Sequence, residues 1–269
     1  MTANFTPRSR RTRRSGYILL SLFLATIGLI GYVWWPLLQE YLASFNPAYP
    51  WWRQVDFLLV GIFIAMSVLI VVGADLGYDP KLALVGLAGG LMIESWGTQT
   101  QLWTYYTSER PPLWILPAWP IAALSIDRIV RGLNKVLPQG RDRVYRVLQL
   151  GVLGTFVLLM VVFVWPTRSQ VSTLASLALS IVLMVTPPNS RTQLLTFLAG
   201  AGLGYFLERW GTTRACWTYY TGETPPFFAV LAHGMAAVAF WRAAEILRPG
   251  LARAAAALSK ASIRTVRAT

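Results

Sequence analysis

Residues Glu94 to Pro112 read E-S-W-G-T-Q-T-Q-L-W-T-Y-Y-T-S-E-R-P-P, and residues Glu208 to Pro226 read E-R-W-G-T-T-R-A-C-W-T-Y-Y-T-G-E-T-P-P. Glu94, Trp96, Gly97, Thr98, Trp103, Thr104, Tyr105, Tyr106, Thr107, Glu109, Pro111 and Pro112 each recur as the same residue type at the same offset. Two unrelated apolar segments do not share that much identity, so the chain reads as an internal duplication. The correspondence runs upstream into the apolar segments that deliver the motif: Gly86, Gly90 and Gly97 recur as Gly200, Gly204 and Gly211. Together with Glu94 and Glu208 they are spaced by four, four and three residues. That spacing lines one helix face, so each glutamate ends a glycine stripe along which another backbone can approach closely.

Composition bounds what surrounds the motif. Hydrophobic residues make up 55% of the 269 positions, the mean hydropathy is +0.50 and only 11 residues are acidic. Such a chain is too apolar for a soluble domain of this size and reads as an integral membrane protein. The net charge of +13 does not indicate nucleic acid, because Lys and Arg fall in short segments between long apolar runs, the distribution that sets membrane orientation. Cys216 is the single cysteine, which excludes an internal disulfide, and the sequence offers no His/Cys cluster for a metal and no cofactor motif.

Apolar spans at 17–35, 56–74, 82–97, 112–128, 147–166, 171–187, 192–210 and 225–245 each approach the ~20 residues that cross a hydrocarbon core. The expected fold is therefore an all-α integral membrane protein, with eight transmembrane helices arranged as two parallel four-helix repeats. The expected divisions are a basic cytoplasmic tail at 1–16, the first repeat at 17–128, a basic linker at 129–146, the second repeat at 147–245 and a basic amphipathic tail at 246–269. With both termini cytoplasmic, all but Arg53, Arg110, Arg168, Arg209 and Arg214 of the 24 Lys and Arg face inward, as orientation by positive charge requires. Both signature loops then face outward from a multi-pass protein of the cytoplasmic membrane. An even number of helices per repeat relates the halves by an axis along the membrane normal. The first outer loop, at 36–55, is long and aromatic, whereas its counterpart at 167–170 is nearly absent.

Carboxylates inside apolar spans are costly enough to have a partner or a function. Glu94 and Glu208 are the candidate acids, for proton-initiated chemistry. The alternative is that each only accepts hydrogen bonds from the Trp and Tyr of its own loop and so fixes that loop's shape. Trp96, Trp103, Tyr105 and Tyr106, with Trp210, Trp217, Tyr219 and Tyr220, are the candidate substrate-binding residues, since π faces beside an acid suit an olefin or a developing carbocation. His233 aligns with Trp119 of the first copy. It is the third catalytic candidate, as a base or as a hydrogen-bond partner of one glutamate, against the reading of a buried, satisfied histidine.

At Glu94, Gly97, Trp103 and Tyr105, followed by the proline-led segment from Pro111, the chain resembles membrane-embedded carotenoid-modifying proteins, the bacterioruberin-type hydratases and the small lycopene cyclase domains. The likeness covers some twenty residues per repeat. It implies an isoprenoid substrate and acid-initiated hydration or cyclisation. Those cyclases carry a Glu-Glu pair after the proline, where this chain has Leu113-Trp114 and Phe227-Phe228. Two other classes fit the sequence. One is a non-catalytic membrane protein that binds a lipid, a pigment or a partner membrane protein, and the other is a transporter with parallel repeats.

Overall fold

The computed structural model describes residues 11–185 and 189–268, with side chains over 14–183 and 189–247. Most of the expected N-terminal tail, the last residues of the span at 171–187 and Thr269 therefore lie outside the described residues. The chain is mostly helical: α1 (Arg11–Val33), α2 (Trp35–Ala43), α3 (Phe57–Val71), α4 (Asp79–Gln99), α5 (Ala118–Val136), α6 (Asp142–Phe163), α7 (Val171–Val185), α8 (Ser190–Thr213) and α9 (Phe227–Ala268). Two three-residue strands, β1 (Trp103–Tyr105) and β2 (Trp217–Tyr219), follow α4 and α8.

Four segments are long and apolar enough to cross a membrane: Arg14–Val33, Leu113–Val136, Asp142–Phe163 and Phe227–Leu247. Phe57–Val71 and Val171–Leu183 are apolar but shorter. Of the remaining helices, α4 and α8 have the length but are less apolar, with glycine, threonine and glutamine among their residues. α8 buries residues from Gln193 to Thr212 on several faces, whereas α4 buries the face that carries Gly90, Glu94 and Gly97 and exposes Leu84, Leu87, Leu91 and Met92 on the other. A helix wrapped by neighbours need not itself be apolar, because its surroundings are protein. On the outside the pattern inverts, with Leu22, Ile64, Leu158, Val162 and Val171 all exposed. A continuous exterior of large aliphatic side chains is what a lipid environment solvates and water does not.

Several boundaries differ from those the apolar runs suggest. The expected span 112–128 stops at a charge, but the backbone continues as helix to Val136. It ends where Leu137 turns extended before Pro138, a residue that cannot follow an α-conformer comfortably. The basic linker is thus helical except for a turn ending at Gly140, whose φ is +77°. At its start the same span opens with a 3₁₀ turn over Leu113–Ile115 before α5 begins. The first outer loop folds its start into α2, and α9 runs without interruption into the expected C-terminal tail.

Side-chain bonds sort the helix ends into two groups. At one end, Tyr106 Oη donates to the Val33 carbonyl closing α1, and Tyr220 Oη donates to the Phe163 carbonyl closing α6, at 2.7 Å. Trp210 Nε1 donates to Asp56, the N-cap of α3, at 2.9 Å, while Trp96 Nε1 donates to Thr173 in the first turn of α7, at 3.1 Å. These last two bonds each tie one signature segment to a helix of the other half. At the opposite end, Arg191 in the first turn of α8 reaches the Leu137 carbonyl after α5, at 2.9 Å.

A buried ion pair holds that opposite end of the first half. Asp79, fully enclosed at the start of α4, accepts from Arg128 Nη2 at 2.7 Å, and the Arg128 side chain is 2% exposed. Arg128 Nε donates to the Val72 carbonyl at the end of α3, at 3.2 Å, so one guanidinium joins α3, α4 and α5. The corresponding residues of the second half are Gln193 and Arg242. Removing one partner leaves the other charge uncompensated in a dry site, which costs about 3–5 kcal/mol. Arg128→Met should therefore lower the melting temperature in detergent by that equivalent. Arg131→Met, which removes the 28% exposed partner of Asp127, should cost under about 1 kcal/mol.

Candidate functional site

Gly90, Glu94 and Gly97 lie on one face of α4, and all three are buried. The glycines do more than admit a backbone. A Cβ on Gly97 would overlap the six-membered ring of Trp103, and one on Gly90 would overlap the Trp119 ring. Each glycine is thus the floor under an indole, and Glu94 stands between them. Trp103 Nε1 donates to Glu94 Oε2 at 3.1 Å, and Trp119 Nε1 donates to Oε1 at 3.1 Å. Tyr105 Oη donates to Oε1 at 2.9 Å. Taking a carboxylate out of water costs several kcal/mol. Three bonds to a charged acceptor return about 1.5–3 kcal/mol each, enough to hold it in place at 3% exposure.

The chain reaches this geometry through the way α4 ends. Gln101 adopts a left-handed conformation, φ +60°, while Leu102 N–H donates to the Gly97 carbonyl at 2.9 Å and Gln101 N–H to the Thr98 carbonyl at 3.3 Å. This pairing is a Schellman turn, and it reverses the chain over the helix end. Strand β1 follows at once, and strand alternation sends Trp103 and Tyr105 to one face and Thr104 to the other. The two aromatic side chains therefore reach the same carboxylate. Gly211 and Trp217 repeat this relation, Ala215 is the left-handed residue at φ +52°, and Cys216 N–H donates to the Gly211 carbonyl at 2.9 Å. Both segments then close with a cis peptide bond, at Arg110-Pro111 and Thr224-Pro225.

In the second copy Trp217 Nε1 donates to Glu208 Oε2 at 3.0 Å, and Tyr219 Oη donates to Oε1 at 2.8 Å. The third partner differs. His233 Nε2 stands 2.8 Å from Glu208 Oε1, above Gly204, where a Cβ would lie 2.6 Å from His233 Cγ. Trp119 and His233 thus occupy the same place in the two copies. An indole N–H only donates and does not exchange roles, whereas imidazole gains and loses a proton near neutrality. Around Glu94 every partner is therefore a fixed donor. Glu208 has an imidazole nitrogen in the place of the second indole.

The two copies meet in a ribbon. β1 and β2 pair antiparallel, Trp103 with Tyr219, Thr104 with Thr218 and Tyr105 with Trp217. On the outer face the two threonine hydroxyls lie 3.2 Å apart. On the inner face Trp103 packs against Tyr219 and Tyr105 against Trp217, with ring centroids 6.0 and 5.8 Å apart. The Trp119 and His233 rings also stack, 5.9 Å apart and 17° from parallel. Both acids, four aromatic donors, Trp119 and His233 form one continuous cluster.

Of the candidate residues, Glu94, Glu208, His233, Trp103, Tyr105, Trp217 and Tyr219 come together here. Trp96, Tyr106, Trp210 and Tyr220 donate instead to the helix-end partners described above, and the Trp96 ring meets Trp103 edge-on with centroids 5.8 Å apart. Gly86 and Gly200 serve close helix approach, against Pro120 and Ala123 of α5 and against the His233 carbonyl and Ala237 of α9. Trp119 is a cluster member in its own right, and the equal spacing from Glu94 to Trp119 and from Glu208 to His233 was the signal for it. Asp56 and Thr173 carried no such signal, because they lie far away in sequence. Among the described residues, no group of three or more His, Cys, Asp or Glu could hold a metal.

Comparison with protein-family models, with curated proteins and with solved structures found no match. The cluster's dependence on glycine can be measured within one helix: nothing lies within 4 Å of a Cβ built on Gly202, whereas Gly204 floors the imidazole. Gly204→Ala should destabilise by about 1–3 kcal/mol through overpacking. Gly202→Ala should be neutral or stabilising by up to about 1 kcal/mol. Equal melting temperatures for the two variants would count against the ring-floor geometry.

Proposed function

We propose that this is a multi-pass membrane enzyme in which Glu208 and His233 perform acid–base chemistry on a lipophilic, isoprenoid or carotenoid-like substrate. In this reading α1, α3, α4 and α5 form one four-helix half, and α6, α7, α8 and α9 form the other. The halves run parallel, with both termini on the cytoplasmic side of the cell membrane, and the ribbon lies at the outer surface. Support comes from the lysines and arginines that cluster between the apolar spans in the segments opposite the ribbon, and from the exposed aliphatic side chains along α1, α3, α6 and α7.

One observation carries the enzymatic reading: the position that is Trp119 beside Glu94 is His233 beside Glu208. Glu208 is 4% exposed in its side chain and His233 is 23% exposed, so the imidazole is the part of the pair that a substrate can meet. Protonated His233, balanced by the Glu208 carboxylate, would deliver its proton to one carbon of a conjugated double bond. The resulting cation would be stabilised by neighbouring π faces. In hydration, water oxygen bonds to the cationic carbon and the surplus proton of that water returns to His233. In cyclisation, an internal double bond closes the ring and a carbon-bound proton returns instead, with no net change in atoms.

A second reading is favoured by Glu94, whose carboxylate is fully engaged by fixed donors. If Glu208 is likewise only an acceptor, the protein is a non-catalytic membrane component that binds a lipid, a pigment or a partner membrane protein. Isoprenoid extracts of cells carrying the parent or variant chains, compared by mass for gain of one water or for a new isomer, separate the two. Glu208→Gln and His233→Trp should fold and lose roughly 100-fold or more of turnover, the scale of acid–base catalysis. Glu94→Gln should keep most of it. Full turnover in Glu208→Gln would remove the acid–base reading and leave the binding one.

Orientation has its own test. Cysteines at Ser108 and Gly222, in the two turns after the ribbon strands, should react in intact cells with an impermeant maleimide, and one at Gly140 should not. The native thiol does not interfere: Cys216 is 2% exposed, and burial pushes its pKa up to about 12, so it stays protonated and unreactive at neutral pH. Labelling at Ser108 without Gly222 would break the parallel arrangement.

A further inference from the structure

The stack between Trp119 and His233 joins a residue of one half to the reactive pair of the other. Three contacts fix Trp119. Its N–H is held by Glu94 Oε1 at 3.1 Å, and its ring is seated on Gly90. Phe240 of α9 meets it edge-on, with centroids 5.9 Å apart and an interplanar angle of 68°. His233 is held less firmly on its own account. Glu208 grips one nitrogen, and rotation about that bond is limited by Gly204 below and by the Trp119 face, 17° from parallel, beside it.

We infer that Trp119 is the positioning residue of His233, so that Glu94 acts on the reactive pair of the other half through an anchored indole. This rests on the reading of Glu208 and His233 as that pair. The geometry assigns the two glutamates different tasks within one composite site. Glu94, saturated with fixed donors, orients an aromatic wall, and Glu208 shares a proton with the imidazole held against that wall. The duplication thereby yields one site built from two copies, in which the Trp-bearing copy supports the His-bearing one.

His233 is the only histidine of the chain, so its ring signals and its chemical modification are unambiguous in the whole protein. In samples held at a pH where the ring is neutral, a hydrogen bond donated to the Glu208 carboxylate keeps the proton on Nε2 and leaves Nδ1 bare, a tautomer that imidazole ¹⁵N shifts distinguish from its alternative. Parent protein in detergent or nanodiscs should show that single tautomer and slow carbethoxylation by diethylpyrocarbonate. Trp119→Phe, which keeps a ring but loses the bond to Glu94, should give mixed tautomer signals and faster modification. Trp119→Leu, which loses both, should go further, to about tenfold or more in rate.

Ile121→Ala serves as the control, because it opens a cavity in the same helix at a residue packed into a different cluster. It should leave the His233 signals in place. Unchanged signals in Trp119→Phe, or equal changes in Ile121→Ala, would overturn the assignment. Should Trp119→Leu fail to fold, the Phe variant decides alone. These readouts need no substrate, so they separate the two claims. Turnover missing from the parent would sink the enzymatic reading and leave the positioning intact. Turnover present with unmoved signals would do the reverse.

Discussion

Everything at the ribbon end of this molecule follows from the cost of enclosing two carboxylates where water cannot reach them. A buried Glu needs several donors at once, and a single helix cannot supply them from its own backbone, whose N–H groups are already committed. The chain supplies them from outside α4 and α8, by reversing at a left-handed residue and sending a short strand back over the helix end. Because strand side chains alternate, an indole and a phenol two residues apart arrive on the same side and reach the same acid. Glycines at 90, 97, 204 and 211 are the steric condition for this, since any larger residue would occupy the volume of a donor ring.

The same requirement explains why the helix faces carrying the acids are buried. Donors must surround a carboxylate, so the face of α4 or α8 that bears it is turned away from lipid. Exposed aliphatic side chains lie instead along α1, α3, α6 and α7 and on the opposite face of α4. At the opposite end a comparable problem is solved with charge, since Asp79 pairs with Arg128 and accepts besides it the Asp75 N–H. The second half places Gln193 and Arg242 at those positions. The halves therefore agree closely at the ribbon end and differ at the other.

Much of this was legible in the residues. Hydropathy and charge gave the helical class, and the repeated motif singled out both acids and their Trp and Tyr partners. The glycine periodicity placed the stripe on the correct face, although its meaning changed from backbone approach to ring floors at four of six positions. The strands were harder to see, because three residues of W-T-Y give too short an alternation to stand out from an aromatic belt. Boundaries failed where a charge was taken for the end of a span: Arg128 looks like an interfacial residue until its partner Asp79, forty-nine positions earlier, is known. The repeated spacing groups Trp96 and Trp210 with the aromatic residues around the acids. Their N–H groups donate to Thr173 and Asp56 at the starts of α7 and α3, a consequence of tertiary packing that no local pattern contains.

The register of the ribbon has one more consequence. An antiparallel pair centred on Thr104 and Thr218 is the pairing that a strand makes with a second copy of itself, an isologous contact in which each side offers what the other receives. All three donors to Glu94 come from its own half, as do the three partners of Glu208. A chain ending after α5 would already hold a complete acid cluster, together with an edge strand whose best complement is its own twin. Here that edge is met by β2 of the same chain, so a contact that a half-length chain would make by dimerising is closed within one chain. The two sides of such a contact can differ only when one chain supplies both, and here one place holds tryptophan and its counterpart histidine.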